Sequence, residues 1–415
     1  MFQFDDRVTV SRGGRVMTRR AVSRRPRAGR VVRLTATLSL LVAFISLFAS
    51  VFLQGGNVPL SVRAVEWLRA NGARGLVMQV EDWYYTLTAP AKGGKIKALP
   101  HQAGTTLAEK SSAAAKAAHA LAAANAIPAP IKPVIKPALP GEGQWHQPFH
   151  ERGLKYPPVL ITSYRSNPAY PQIVAGVAWI NTHETKIQYY PGVQEPSVNL
   201  PSRGPEMVPT SLRYKLLATF NSGFKLVDSG GGVVVGGHTY APMKNGLSAF
   251  VGYRNGTVNI IDWKSGAVAG HNVVYARQNL PLIVNNGRPN PNLSDGPQWG
   301  ATVGNAIMVW RSAAGITRNG DLIYAAGDYQ TVASLAQIMI HAGAVRAMQL
   351  DINAEWPSFI TYTGPNAAGP ANLLPGMWQS PQRYLVPDNR DFYAVYLKPS
   401  DLAPPKRRSS SRTAG

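Results

Sequence analysis

The sequence predicts an α+β domain, rich in β-strand with a mixed sheet and a few helices, preceded by one transmembrane helix and a disordered linker. The 415 residues include 39 Gly and 33 Pro, which indicates many turns. Short runs of β-branched and aromatic residues recur from residue 145 onward, as is typical of strands. Residues 331–342 instead carry apolar residues at helical spacing, between the N-cap candidate Thr331 and the stop Gly343. We therefore assign residues 145–398 to the main folded domain.

The N-terminal region predicts a membrane anchor. Residues 1–33 contain ten Arg against two Asp, and residues 34–53 contain no charged residue. A helix of twenty residues is about 30 Å long, which is the thickness of the hydrocarbon core of a bilayer. The positive-inside rule then predicts that residues 1–33 are a basic cytoplasmic tail, that residues 34–53 span the cell membrane once, and that the main domain is extracytoplasmic. A cleaved signal peptide, with a weak site at Ala49-Ser50, is the alternative.

Three further segments differ in composition from the main domain. Residues 54–90 carry apolar residues at helical spacing, which predicts short amphipathic helices that either pack on the domain or rest on a membrane surface. Residues 91–144 are rich in Ala, Lys and Pro, which predicts a disordered linker with polyproline-like character over 128–140. Residues 399–415 predict a disordered basic tail.

The charge of the chain excludes a nucleic-acid role for the domain. The formal net charge is +22, but residues 145–398 contain only 19 Lys and Arg against 13 Asp and Glu. No basic stripe with interleaved aromatic residues occurs there, so we expect no nucleic-acid partner. The absence of Cys excludes disulfides, thiolate nucleophiles and thiolate metal ligands.

Residues 346–356 contain the strongest candidate for a functional site. An apolar run at 347–350 predicts a buried strand, and Asp351, Asn353, Glu355 and Trp356 follow it. Burying carboxylates and amides at the end of a buried strand costs free energy unless they bind a ligand, a metal or each other. The pattern therefore predicts a site, with a solvated turn as the alternative.

Other polar residues are candidates to complete this site. The Asn221 amide can donate and accept hydrogen bonds with a ligand, and Gly223 lets backbone approach a ligand, although both also suit a turn. His238 follows a Gly-rich stretch and is a candidate acid, base or ligand, with a hairpin turn as the alternative. Arg311 can bind phosphate through its planar fork, or form a surface ion pair. Asp328 follows the predicted strand 322–326.

Four segments between about residues 164 and 362 resemble the phosphodiester glycosidase family. Asn-Ser-Gly-Phe at 221–224 resembles the family's Asn-Gly-Gly-Phe-Phe, and Arg-Ser-Ala-Ala-Gly at 311–315 resembles Arg-Thr-Ala-x-Gly. Gly327-Asp328 also matches, as does the order of helix, Gly-Ala-Val, strand and Leu350-Asp351. This chain departs from the family at Ser222 and at 352–356, which replaces a run rich in Gly and Ser.

The resemblance implies hydrolysis of a sugar 1-phosphodiester, with a sugar phosphate or a cell-envelope glycopolymer as substrate. Asp351 would be nucleophile, water base or cation ligand, Glu355 the acid, and Arg311 the group that stabilises the leaving phosphate. The substrate-binding residues would be Asn221, Gly223, His238, Asp328, Asn353 and Trp356. The motifs require no particular cofactor, although a divalent cation could bind at the carboxylates. A protein that binds envelope glycopolymers without cleaving them is the alternative function.

Overall fold

The structure is a computed structural model that describes residues 28–49, 60–102, 105–106, 127–149, 156–302 and 306–398. The chain divides into two compact units, residues 1–53 and 54–415. The described residues form many strands and few helices, which confirms the predicted α+β class.

The first unit contributes one described helix, α1 (Ala28–Phe48). Among the residues that the structure describes, no helix combines the length and the apolar character needed to cross a membrane. The predicted transmembrane helix over 34–53 is therefore not confirmed. The basic tail before residue 28 and the last four residues of that prediction, 50–53, lie outside the described residues.

Helices α2 (Leu60–Ala70) and α3 (Arg74–Thr88) occupy the segment for which apolar spacing predicts amphipathic helices. Arg69 of α2 forms an ion pair with Glu81 of α3 at 2.5 Å. The apolar side chains on one face of α3 are exposed, so a collar packed on the domain does not describe that face; they are Leu76, Val80, Trp83, Tyr84 and Leu87.

The described part of the second unit contains nineteen strands and two further helices, α4 (Leu226–Ser229) and α5 (Val332–His341). The strands are β1 (Thr105–Thr106), β2 (His146–Gln147), β3 (Val159–Arg165), β4 (Val174–Ile180), β5 (Thr185–Tyr190), β6 (Leu216–Asn221), β7 (Val233–Val235), β8 (His238–Ala241), β9 (Ser248–Tyr253), β10 (Val258–Asp262), β11 (Val273–Gln278), β12 (Val284–Asn285), β13 (Arg288–Pro289), β14 (Val309–Thr317), β15 (Leu322–Gln330), β16 (Ala344–Ile352), β17 (Phe359–Gly364), β18 (Ala368–Asn372) and β19 (Phe392–Leu397).

These strands form three sheets, and their described pairings are antiparallel. The large sheet has the order β1-β2-β3-β4-β15-β14-β16-β12-β13. The two smaller sheets have the orders β10-β9-β11-β7-β8 and β18-β17-β6-β19-β5. Strands β14 and β16 lie side by side near the middle of the large sheet and are almost fully buried, including the polar residues Arg311, Gln349 and Asp351.

Aromatic side chains from all three sheets meet in one core. The ring of Tyr393 on β19 lies 4.2 Å from Phe250 on β9 and 5.1 Å from Phe220 on β6, between ring centroids. Phe220 also lies 5.6 Å from Tyr324 on β15 of the large sheet. This packing fixes the ends of β6, β15 and β19 relative to one another.

Helix α5 packs on the large sheet and leads into β16. Thr331 accepts a hydrogen bond from the Ser334 N–H, and Ser334 accepts one from the Thr331 N–H, so the helix begins with a reciprocal cap. Gly343 follows the helix at φ +95°, a conformation that favours glycine. The predicted order of helix, Gly turn and buried strand is present, and it places Asp351 near the end of β16.

Part of the predicted linker belongs to the folded domain. Ile131 and Trp145 are buried in the core beside the large sheet, and the Ile131 N–H donates to the Gly143 carbonyl at 2.9 Å. Glu142 is buried and pairs with Arg165 at 2.8 Å. The disordered-linker prediction is therefore wrong for 127–144, because a few well-spaced large side chains anchor a segment whose overall composition is that of a spacer. Residues 107–126 and the tail at 399–415 lie outside the described residues.

Candidate active site

Three neighbouring strands of the large sheet, β15, β14 and β16, bring the predicted carboxylates to the same end of the sheet. Arg311 at the start of β14 pairs with Gly327 on β15 and with Ile352 on β16. Asp328 and Asp351 therefore lie on either side of β14. Two strand spacings separate their backbones by about 10 Å.

The residues at the end of β6, which belongs to a smaller sheet, contact this end of the large sheet. The Asp351 N–H donates to the Ser222 carbonyl at 3.0 Å, and the Ser222 N–H donates to the Asp391 carbonyl at 3.2 Å. The Ser312 hydroxyl donates to the Asp351 carbonyl at 2.7 Å and accepts from the Asn221 amide at 3.0 Å. Three motifs that are distant in sequence thus meet around Asp351.

The carboxyl of Asp351 is buried and strongly perturbed. Burial raises its pKa to about 6, while the Arg390 guanidinium and the Ile352 N–H favour the ionised form. Arg390 Nη2 donates to Oδ2 of Asp351, and the Ile352 N–H donates to Oδ1 at 3.0 Å. A carboxyl with a pKa close to neutrality is suited to accept or donate a proton at physiological pH.

Arg390 is a site residue that the sequence analysis missed. It lies two positions before β19, is buried, and also donates from Nη2 to the Gly223 carbonyl at 3.3 Å. Its guanidinium carbon lies 4.7 Å from the centroid of the Trp356 ring, which is a cation–π contact. The charged cluster at 388–391 before a buried strand was the available signal, because charges beside a core strand need partners.

Arg311 is buried at the same end of the large sheet but does not contact the Asp351 carboxyl. Its Nε donates to the Gln330 carbonyl at 2.9 Å, and Nη1 donates to Oε1 of Gln349 at 3.1 Å. Within the described residues Arg311 has no ion-pair partner. Burial lowers its pKa to about 10, and only the more distant Asp295 opposes that effect. A buried guanidinium without a carboxylate is a site that an anion would satisfy.

Asp328 lies on the other side of β14 and faces a residue from outside the predicted domain. Burial raises the pKa of Asp328 to about 6, although the Tyr329 N–H and the Trp310 side chain stabilise its ionised form. Burial, followed by the negative charges of Glu355 and Asp328, raises the pKa of Tyr85 on α3. Nothing in the sequence places Tyr85 near this site, because α3 precedes the domain by more than fifty residues.

The loop after Asp351 places its polar residues in different environments. Asn353 adopts a positive φ of 70° and donates its N–H to the Trp310 carbonyl at 2.8 Å. Glu355 is half-buried, and its backbone carbonyl accepts a hydrogen bond from the Gln379 side-chain amide. The negative charge of its carboxylate contributes to the raised pKa of Tyr85. Trp356 lies beneath Arg390 as a platform.

Three predicted substrate-binding residues have other roles. Asn221 is buried and uses its whole amide: Nδ2 donates to Ser222 and Ser312, and Oδ1 accepts from Tyr324 and the Ser358 N–H. It therefore has no capacity left for a sugar hydroxyl.

The group packed closely against Gly223 is a protein side chain and not a ligand, because a Cβ added at Gly223 would lie 3.2 Å from the Asn279 side chain. His238 is exposed on the edge strand β8 of a different sheet, so the structure does not bring it to the site.

No metal cluster is visible in the described part of the chain, where no group of three or more His, Asp or Glu could hold an ion. The chemistry that the arrangement supports uses a buried carboxyl, Asp351, a half-buried carboxyl, Asp328, and two buried guanidinium groups, Arg390 and Arg311.

Residues 214–351 match the phosphodiester glycosidase family. The resemblance is thereby confirmed over a segment that begins before Asn221, includes Arg311 and Asp328, and ends at Asp351. No curated protein matches the chain.

Three solved structures are similar at low identity. The catalytic domain of zebrafish N-acetylglucosamine-1-phosphodiester α-N-acetylglucosaminidase, auto-inhibited by its pro-peptide, is 13% identical with a TM-score of 0.39, over 60% of this chain and 87% of that chain. A hypothetical protein from Synechocystis is 12% identical with a TM-score of 0.35, over 58% and 62%. A putative exported protein from Burkholderia pseudomallei is 13% identical with a TM-score of 0.29, over 55% and 74%.

Proposed function

We propose that the domain is a glycosidase that hydrolyses a sugar 1-phosphodiester. The observation that carries the proposal is that a buried carboxyl, Asp351, lies on the strand next to that of a buried guanidinium, Arg311, which has no carboxylate partner among the described residues. The first can act on the anomeric carbon and the second can bind the phosphate. The family match over 214–351 supports the reaction class.

The chemistry follows from the charges at the site. The bond between the anomeric carbon and the phosphate oxygen breaks, and its electron pair stays on the phosphate. Water forms the new bond to the anomeric carbon, and Asp351 accepts its proton or acts first as nucleophile. A phosphate monoester is stable as an anion, so the leaving group needs little proton donation. Arg311 stabilises the charge that develops on it, in a site where burial strengthens the interaction.

Asp328 and Glu355 complete the polar lining. Asp328 has a raised pKa and is protonated over a wider pH range than an exposed carboxyl, so it can donate a hydrogen bond to a sugar hydroxyl or act as an acid. Glu355 lies on the loop beside Tyr85 and is placed to contact the sugar or its aglycone. Asn353 and Trp356 shape the same loop.

The experiment uses the full chain and a panel of methyl sugar-1-phosphodiesters that differ in sugar and anomer, with released sugar measured by mass spectrometry. Wild type should release sugar from at least one member. Asp351→Asn should reduce the rate by roughly 100-fold or more while the fold is kept. Asp262→Asn is the matched control, because Asp262 lies on β10 and its ion-pair partner within the described residues is the exposed Lys264.

The outcome also decides between catalysis and binding. The glycosidase proposal would be overturned if folded wild type released no sugar from any phosphodiester in the panel. It would also be overturned if Asp351→Asn kept the wild-type turnover. Retention of an intact anionic glycopolymer by wild type, with no sugar released, would establish the binding protein instead.

We further propose a cell-envelope glycopolymer as the substrate, with the domain outside the cytoplasm and the N-terminus inside. Residues 1–33 carry ten Arg, whereas residues 54–81, on the other side of the predicted span, carry three Arg and two Glu, and this asymmetry supports the orientation. Protease added to intact spheroplasts should cleave within 91–126. Cleavage that requires lysis would reverse the orientation and remove the envelope polymer as substrate.

A further inference from the structure

Two buried arginines near the site have the geometry of structural ion pairs. Arg383 binds Asp388 with two nitrogens, Nε to Oδ2 at 2.7 Å and Nη2 to Oδ1 at 3.2 Å. Arg277 donates from Nε to Asp391 at 2.8 Å and uses its other nitrogens on the carbonyls of Phe224 and Gln278. In both residues Nε donates to a carboxylate, and all three guanidinium nitrogens make hydrogen bonds.

Arg390 is arranged differently. It binds Asp351 through Nη2 alone, and its buried Nε has no hydrogen-bond partner among the described residues. The Trp356 ring supports one face of the guanidinium, and the Gly223 carbonyl accepts a second hydrogen bond from Nη2. Arg390 therefore lacks, among the described residues, the Nε hydrogen bond that Arg383 and Arg277 make, and the contact with the Trp356 ring is what supports the plane of its guanidinium.

The geometry distinguishes the two oxygens of Asp351. Oδ2 is held by Arg390, whereas Oδ1 accepts one hydrogen bond from the part of the chain that the structure describes, from the Ile352 N–H at 3.0 Å, and keeps acceptor capacity. The charged groups that face this carboxyl are Arg390 and Arg383, which favour the carboxylate, and Asp391, which opposes it.

We propose that Arg390 is a positioning residue that holds Oδ2 of Asp351, keeps the carboxyl ionised, and leaves Oδ1 as the oxygen that reacts. The proposal rests on the glycosidase function proposed above. In the reaction, Oδ1 accepts the proton of the attacking water or attacks the anomeric carbon, while Oδ2 stays bound to Nη2. The Trp356 ring holds the Arg390 guanidinium against Oδ2, so that it does not move toward Oδ1 when the charge on Asp351 changes.

The kinetic test compares Arg390→Gln and Arg390→Lys with wild type over pH 4 to 9, on a phosphodiester that the wild-type full chain cleaves. Arg390→Gln should lower kcat roughly 100-fold with a smaller change in KM. Its acid limb should move to higher pH, because the carboxylate loses its nearest counter-ion. Arg390→Lys keeps a charge and should keep most of the acid limb. Arg346→Gln, on β16 but bonded to Asn259 and Ile260, is the matched control and should match wild type.

A second readout does not need activity. The carboxyl of Asp351 is titrated by NMR in full chain labelled with [4-¹³C]aspartate, with Asp351→Asn to assign its resonance. The titration midpoint should rise in Arg390→Gln and stay closer to wild type in Arg390→Lys. An unchanged midpoint in Arg390→Gln, or an unmoved acid limb, overturns the proposal. If wild type cleaves nothing, the proposed function fails, but the NMR titration still decides whether Arg390 sets the charge of Asp351.

Folding must be checked for each variant by circular dichroism and thermal unfolding. If Arg390→Gln does not fold, Trp356→Phe replaces it, because this change weakens the platform and leaves both charges in place. Its acid limb should then move in the same direction by a smaller amount, and an unmoved limb in that variant equally overturns the proposal.

Discussion

The backbone N–H of Asp351 donates a hydrogen bond to the carbonyl of Ser222 at 3.0 Å. This bond joins the end of β16 in the large sheet to the segment after β6 in a smaller sheet. The Asp351 carbonyl is bonded in turn by the Ser312 hydroxyl. The backbone of Asp351 is therefore fixed from both sides, and this fixation is the form of preorganisation that a reacting carboxylate requires.

Ser312→Ala should destabilise the fold and reduce the reaction rate. The change removes the donor to the Asp351 carbonyl and the acceptor of the Asn221 amide, both of which are buried. We expect a loss of about 1–3 kcal/mol in the free energy of unfolding. Urea unfolding and turnover measure the two effects. Ser202→Ala, at an exposed turn, is the control, and equal stability of the two variants would contradict the prediction.

Arg311→Met should weaken binding of the anionic substrate. The guanidinium is buried without a carboxylate partner in the described residues, so its charge is available to a phosphate. We expect KM to rise roughly tenfold or more, since hydrogen bonds to charged groups contribute about 1.5–3 kcal/mol. Arg311→Lys should lie between the two, because a lysine keeps the charge but not the fork. The exposed Arg318→Met is the control, and a KM equal to that of wild type in Arg311→Met would remove Arg311 from the phosphate site.

Asp328→Asn should change how stability depends on pH. Burial raises the pKa of Asp328 from 3.8 to about 6, so the native state binds its proton more tightly than the unfolded state. The contribution of Asp328 to stability is therefore greatest below pH 4 and is lost as pH rises through about 6. Relative to Asp328→Asn, wild type should lose up to about 3 kcal/mol between pH 4 and pH 7. Urea unfolding at each pH measures the difference, and a constant difference would show that Asp328 is not desolvated.

His238→Ala should leave the reaction unchanged. His238 is exposed on β8, at the edge of a sheet that does not contain Asp351, Asp328 or Arg311. We expect kcat and KM within twofold of wild type. A larger loss would mean that the β7–β8 hairpin reaches the substrate, and it would restore the role that the sequence suggested.

The sequence by itself determined much of this protein. Local signals were sufficient wherever the structure depends on neighbours in the chain: the capped helix α5, the Gly343 turn and the buried strand that ends at Asp351. The motifs around Asn221, Arg311 and Asp328 were sufficient to predict the match of residues 214–351 to the phosphodiester glycosidase family. The strand runs, with their β-branched and aromatic residues, were sufficient for a β-rich α+β domain.

Only the tertiary structure decided which side chains are available for chemistry. Asn221 and His238 have similar polar character in sequence, yet Asn221 is consumed by four internal hydrogen bonds and His238 faces solvent on another sheet. Arg390 became the partner of Asp351 only because β19 pairs with β6 and brings the residues before it to the end of β16. Hydrogen-bond capacity and distance between charges depend on contacts between remote segments, and no local pattern encodes those contacts.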